Sequence, residues 1–185
     1  MKFISTEIVG PLIIRPRVLS DQRGFFMECF RENAFREHGI MDRFVQDNCS
    51  FSIGGVVRGL HYQCVQPQAK LITVMQGRVL DVIVDIRRGS PTFGQHVAVE
   101  LSDENKEILY VPVGFAHGFS VLSENALFHY KCSGYYCPEG ERGLHWKDPD
   151  LDIDWRSSSP VVSERDAGLP RLRDVPDADL FKWSD

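Results

Sequence analysis

Long apolar runs are missing from this 185-residue chain. The N-terminus, MKFISTEIVG, has no apolar core of the kind an export signal needs, and the most apolar stretch, Val82 to Val84, is closed at both ends by Asp81 and Asp85. The expectation is a cytoplasmic protein that does not engage a membrane. Excess positive charge is missing too: the formal net charge is -5 at pH 7, which argues against a nucleic-acid partner, so an anionic ligand has to be met by a local basic pocket. Cysteines are few and scattered. Cys29, Cys49, Cys64, Cys132 and Cys137 are odd in number and contain no CxxC pair, a usage that suits a reducing compartment better than a disulfide framework. Cys132 and Cys137 could seed a zinc site only with a second ligand pair, and none with suitable spacing follows. Helical periodicity is confined to Glu32 to His38, and there are no repeats, low-complexity tracts or internal linkers.

What is present is strand, punctuated by turns. Lys70 to Met75 and Arg78 to Ile86 flank Gln76-Gly77; His96 to Leu101 and Glu107 to Val111 flank SDENK; His117 to Leu122 and Ala126 to Cys132 flank Ser123-Glu124-Asn125. Arg43 to Phe51 and Val56 to Gln63 flank Gly54-Gly55. Each pair predicts a hairpin. With 43% hydrophobic residues the chain can bury one sizeable core, and the pattern predicts an all-β, antiparallel sandwich or barrel of jelly-roll type. Residues 1–170 form the expected domain, and the charged, Pro-containing tail 171–185 reads as a surface appendage.

Alternation assigns faces. Gln46 with Asn48, His117 with Phe119, and Phe128 with Tyr130 each share a side, so polar residues line part of the interior. Arg58 and His61 are an odd number apart and would face opposite sides of a regular strand, which predicts a bulge or twist near Gly59.

The stretch Gly54 to Leu71 concentrates chemistry. Arg58 offers a planar fork of donors for phosphate, His61 can exchange a proton near neutral pH, and Lys70 is a point charge able to hold a developing oxyanion. Taken singly, each reads better as a solvated charge or a satisfied strand histidine; together they read as a site. A metal is the competing use. Pro112-Val113-Gly114-Phe115-Ala116-His117 fits the PxGxxH half of a cupin ligand set, but His61-Tyr62-Gln63 supplies one histidine where the HxH half wants two, and Lys70 would put a positive charge beside the ion. Proton chemistry at His61 and His117, with no metal or other cofactor, is the expectation.

Several motifs in order carry a resemblance. Gly24-Phe25-Phe26, Phe44-Val45-Gln46-Asp47-Asn48, Arg58-Gly59-Leu60-His61-Tyr62-Gln63, Asp81 to Arg87, Gly114-Phe115-Ala116-His117-Gly118-Phe119, Tyr130-Lys131 and Ser163-Glu164-Arg165-Asp166 resemble the dTDP-4-dehydrorhamnose 3,5-epimerase family, a cupin-fold group. The likeness extends from Phe3 to Pro170. It implies cofactor-free epimerisation of a nucleoside-diphospho-4-keto-6-deoxysugar, by a homodimer whose N-terminal strands cross to the partner.

The resemblance also implies roles. His61 matches the base, Asp166 the carboxylate that orients it, and Tyr130 the acid on the opposite face; Lys70, with His117, would hold the enolate oxygen. Arg23, Phe26, Glu28, Gln46, Asn48 and Arg58 fall along the diphosphonucleoside, with Tyr135 or Tyr136 near the base or sugar and Glu141 and Arg165 completing the binding set. Tyr130 alone reads as a wall aromatic, and Asp166 alone as a helix cap. Arg165 stands where a Lys is common in the family, Cys64 to Pro67 departs from its usual loop, and His129 precedes Tyr130. Inversion at carbon 3 alone, and a GDP- or CDP-linked sugar, stay open as variants. A metal-dependent cupin oxygenase or isomerase and a non-catalytic sugar-binding cupin are the readings from other classes.

Overall fold

Val79 and Ile83 alternate along one strand with Leu80, Val82 and Val84, and the two sets belong to different apolar clusters. The computed structural model, which describes residues 1–183, explains the split: the strand lies in a sheet that is covered on both faces. In chain order the first strands are β1 (Lys2–Ser5), β2 (Leu12–Arg15), β3 (Val18–Asp21) and β4 (Gly24–Met27), followed by the short helix α1 (Glu32–Arg36). Then come β5 (Gln46–Ile53), β6 (Val57–Gln63), β7 (Lys70–Gln76), β8 (Arg78–Asp85), β9 (Arg87–Arg88) and β10 (His96–Ser102). The chain ends with β11 (Ile108–Val111), β12 (Phe115–Val121), β13 (Asn125–Cys132), β14 (Glu141–Gly143), helix α2 (Glu164–Ala167) and β15 (Phe181–Lys182). A six-stranded sheet runs β1-β2-β11-β7-β13-β5 and a five-stranded sheet β10-β8-β12-β6-β14. This is a jelly-roll sandwich with a few short helices.

The expected strands are present, but none of the four expected hairpins forms. β5 and β6, β7 and β8, β10 and β11, and β12 and β13 each divide between the two sheets. Turn residues fix a reversal of the chain without deciding whether the two strands then lie edge to edge, about 4.8 Å apart, or face to face, about 10 Å apart. Here Ile72 and Val74 of β7 meet Val79 and Ile83 of β8 in one cluster through their side chains. Stacking buries an apolar face of both strands, which a ladder between them would leave side by side. The hairpins that do form are β1 with β2 and β3 with β4.

Two outer faces differ in cover. Behind the five-stranded sheet, Leu60, Leu80, Val82, Val84 and Ile86 pack against Leu144, Leu151 and Trp155. The segment after Arg171, expected from its charge to be a surface appendage, adds Leu172, Val175 and Leu180 to this same cluster, while β15 pairs parallel with β9. Its spaced apolar residues outweigh the intervening charges; residues 184–185 lie outside the described part. Behind the six-stranded sheet, Phe35 and Ile40 cover Ile14, Leu71 and Ile108. The β5 side of that sheet leaves Phe51 and Ile53 exposed, and the β3–β4 hairpin leaves Leu19, Phe25 and Phe26 exposed. Among the described residues no helix is long and apolar enough to cross a membrane.

Candidate active site

The bulge expected near Gly59 is what assembles the site. β6 pairs His61 with His117 but Arg58 with Phe119, so β6 spends one more residue than β12 over the same span. Gly59 absorbs it with φ +120, and a Cβ there would stand 2.5 Å from the Cα of Gly118. The extra residue turns Arg58 and His61 into the same cavity, which their odd spacing forbids on a regular strand.

The cavity lies between the sheets and has two lobes that share Asn48, His61, Lys70, His117 and Tyr130. The first lobe, about 270 Å³, is polar, with Gln46, Gln63, Tyr136 and Glu141 among its walls. The second, about 310 Å³, adds Arg58, Arg165 and Asp166 to the stacked rings of Phe119 and Phe128. As alternation predicts, Gln46 and Asn48 line the first lobe together, and His117, Phe119, Phe128 and Tyr130 line the second.

His61 Nε2 lies 2.7 Å from Asp166 Oδ1, and Asp166 Oδ2 accepts the Gly59 N–H at 3.2 Å. Asp166 sits in α2, whose first turn is capped by Ser163 Oγ accepting from the Asp166 N–H. Burial works to raise the Asp166 carboxyl, yet the His61 hydrogen bond and charge, the Gly59 N–H and Arg165 together hold it below the usual range. An ionised Asp166 keeps the hydrogen on Nε2 and leaves Nδ1 as the basic atom.

Beneath this dyad lies a second one that the sequence reading missed. His117 Nε2 lies 2.9 Å from both carboxylate oxygens of Asp81, and both residues are buried. Burial pushes the imidazole down, against the pull of Asp81, and pushes the Asp81 carboxyl up, against His117 and Lys70. The carboxylate of Asp81 fixes the position of the buried His117 ring. The signal was there: Asp81 interrupts an apolar strand at an inward position, between Val79 and Ile83.

Lys70 starts β7 and reaches the waist of the cavity, where burial pushes its ammonium below the usual amine range while Cys132, Asp81 and Glu141 pull it back. Burial, followed by Cys132 and Glu141, pushes the Tyr130 phenol up, so it remains a proton donor at neutral pH. At the rim, Tyr136 O–H donates to Glu141 Oε2 at 2.5 Å, and the Tyr136 N–H donates to Gln46 Oε1 at 3.0 Å.

Four anticipated residues are not brought here. Arg23 and Phe26 lie on the exposed β3–β4 hairpin, where Arg23 forks onto Asp21. Glu28 pairs with Arg31 instead. Tyr135 is exposed, and its carbonyl accepts weakly from Gln63 at 3.4 Å. The hairpin projects from the sandwich, which alternation within strands cannot reveal. His129 points to the opposite face from Tyr130, towards Asp47 at 3.7 Å. Among the described residues no three His, Cys, Asp or Glu side chains gather in a way that could hold a metal ion.

Known proteins share this chain's sequence and fold. The family model for dTDP-4-dehydrorhamnose 3,5-epimerase matches residues 5–174. The chain is 49% identical over 183 residues to a dTDP-4-dehydrorhamnose 3,5-epimerase of Pseudomonas aeruginosa, covering 98% of this chain and 99% of the relative. It is 47% identical over 178 residues to one of Methanothermobacter thermautotrophicus, covering 95% and 96%. Among solved structures, the dTDP-6-deoxy-D-glucose-3,5-epimerase of Legionella pneumophila Philadelphia 1, in complex with dTDP-4-keto-L-rhamnose, superposes with a TM-score of 0.97 at 49% identity, covering 100% of this chain and 99% of that one.

Proposed function

The chain belongs to the dTDP-4-dehydrorhamnose 3,5-epimerase family, and we propose from that premise how its own residues carry the reaction. It is a cupin-fold isomerase that converts dTDP-4-dehydro-6-deoxyglucose to dTDP-4-dehydrorhamnose by inverting carbons 3 and 5. Both carbons flank the carbon-4 ketone, so the hydrogen on each becomes removable once the resulting enolate oxygen is stabilised. His61 Nδ1 takes the proton, Asp166 steadies the imidazolium, and Lys70 beside His117 holds the enolate. Tyr130 returns a proton to the other face. The single observation that carries this reading is the placing of the His61–Asp166 pair and Tyr130 on one cavity with Lys70 at its waist.

Arg58 and Arg165 suit the diphosphate, and Gln46, Asn48, Tyr136 and Glu141 suit the nucleoside and sugar end. The active species in this reading is a cytoplasmic homodimer that exchanges N-terminal strands. Supporting it are the exposed Phe51 and Ile53 on the edge of one sheet, and a hairpin whose Arg23 and Phe26 stand apart from the His61 cavity of their own chain. In the dimer that hairpin, with Glu28 beside it, would complete the partner's cavity. The test of the reaction is incubation with dTDP-4-keto-6-deoxyglucose in D2O followed by mass spectrometry. Two deuteriums are expected in the product. One would reduce the activity to inversion at a single carbon, and none would remove the enolate mechanism.

A further inference from the structure

Gln63 ends β6 two residues beyond His61, so alternation turns both side chains toward the first lobe, and Gln63 is only 6% exposed. Its amide is spent wholly on backbone. Oε1 accepts the Cys137 N–H at 2.9 Å, while Nε2 donates to the Gln66 carbonyl at 2.8 Å and, more weakly, to the Tyr135 carbonyl at 3.4 Å. An N–H on one side and carbonyls on the other fix which end of the amide is oxygen. The bonds to Tyr135 and Cys137 fall on the peptide units at either side of Tyr136. A second amide, that of Gln46, accepts the Tyr136 N–H at 3.0 Å. Nearer their base the same two loops are laced by Gln68 Nε2 donating to the Gly134 carbonyl at 2.7 Å and by the Ala69 N–H donating to Ser133 Oγ at 2.8 Å. Tyr136 itself is 53% exposed, so packing does little to hold its ring. Its hydroxyl reaches Glu141, which lies opposite Gln63 in the ladder between β14 and β6.

A half-exposed ring that is to meet a ligand needs its backbone held beforehand, because a loop that is ordered only on binding gives up affinity to conformational entropy. We propose that Gln63 is a positioning residue for the nucleoside end of the ligand: its buried amide sets the main chain on both sides of Tyr136 and so presents that ring at the mouth of the first lobe. The role is one of affinity and not of proton transfer, since among the described residues the amide bonds to the two loops and not to His61, Lys70 or Tyr130. That Tyr136 meets the nucleoside rests on the sugar-nucleotide reading above; the hold of Gln63 on Tyr136 does not.

The experiment is a cycle of Gln63→Met, Tyr136→Ala and the double variant, with the Kd for dTDP and for inorganic pyrophosphate measured by calorimetry and KM and kcat alongside. Methionine keeps the length and volume of the side chain and removes both ends of the amide. In Gln63→Met, dTDP should bind about three- to tenfold more weakly and KM should rise with it, while kcat falls by less than KM rises. Pyrophosphate, which has no nucleoside, should bind as it does to wild type. In the Tyr136→Ala background the loss should vanish. An equal loss for pyrophosphate would mean that the cavity has merely loosened, and a loss that persists without Tyr136 would mean that Gln63 acts elsewhere; either overturns the proposal, as does an unchanged Kd for dTDP. Gln63→Glu, which keeps the acceptor for Cys137, takes the place of Gln63→Met if that variant does not fold. Hydrogen exchange in the ligand-free protein judges the hold separately. The Tyr136 N–H, bonded to Gln46 and not to Gln63, should exchange about tenfold faster in Gln63→Met, and unchanged exchange overturns the hold. Wild-type protein that ignores dTDP would sink the sugar-nucleotide reading, while the exchange experiment would still judge Gln63.

Discussion

His61 and Tyr130 border one cavity from opposite sheets: His61 stands on β6 of the five-stranded sheet and Tyr130 on β13 of the six-stranded sheet. A planar enolate held between them has its two faces toward different layers of the sandwich, the arrangement that inversion requires.

Replacement of the base tests one face. His61→Asn removes the titratable nitrogen while keeping size, so turnover should fall by about 10²- to 10⁴-fold with dTDP affinity close to wild type. Asp166→Asn should lose less and should shift the acid limb of the pH–rate profile, because the carboxylate that stabilises the imidazolium has become neutral. A steady-state assay across pH with both variants checks this; an unmoved profile in Asp166→Asn would break the dyad.

Loss of the acid should separate two events that wild type couples. Tyr130→Phe still lets His61 form the enolate, so in D2O the recovered substrate should gain deuterium faster than inverted product appears. Mass spectrometry of substrate and product over time reads both rates. An equal loss of exchange and inversion, with normal dTDP binding, would remove Tyr130 from the catalytic set.

Strand exchange between protomers predicts complementation. If each cavity takes His61 from one chain and Arg23 from the other, mixing inactive His61→Asn with a crippled Arg23→Glu variant should create mixed dimers with one intact cavity. Activity should then return to about a quarter of wild type after subunit exchange. No recovery from a mixture shown by mass to contain mixed dimers would mean that each chain completes its own site.

Metal removal should leave the enzyme intact. His61-Tyr62-Gln63 offers one donor where a cupin ion expects two, and Lys70 would repel a cation at the waist. Dialysis against a chelator should leave turnover unchanged. Loss of activity that returns with one specific ion would overturn this.

Acid stability should report on Asp85. Burial works to raise its carboxyl, but Arg87, Ser90 and Thr92 bond to it and hold it below the usual range. A carboxyl lowered in the folded state contributes stability that is complete above its unfolded value of about 3.9 and is lost as the pH falls through the folded value. Asp85→Asn should therefore be less stable at pH 7, by about 3 kcal/mol once Arg87 is left unpaired. It should also lose less than wild type between pH 5 and pH 2, as urea melts would show. Parallel pH curves for the two proteins would assign the acid sensitivity elsewhere.

The strands were legible in the sequence because alternation and turn residues are local. So was the bulge, because Arg58 and His61 could not otherwise share a face. Their connectivity was not: Gln76-Gly77 looks the same whether it joins partners in a ladder or strands in different sheets. His61, Lys70, His117, Tyr130 and Asp166 could be found from motifs, and the structure brings them to one cavity. Asp81 hid inside an apolar run, and the hold of Gln63 on the backbone around Tyr136 hid because no spacing relates β6 to the loop after β13. The charges of the C-terminal segment masked Leu172, Val175 and Leu180, which are the residues that dock it.

Because successive strands alternate between sheets, β7 and β5 find their shared neighbour, β13, only after most of the chain has been made. Loop-closure entropy has to be met before those ladders reward it, which puts folding in the slow, millisecond-to-second range of non-local β proteins. Until β13 inserts between them, β7 and β5 both carry open edges. A cell overproducing this protein has its greatest exposure to aggregation in that interval, and slower synthesis or lower temperature should raise the soluble yield more than any change at the cavity.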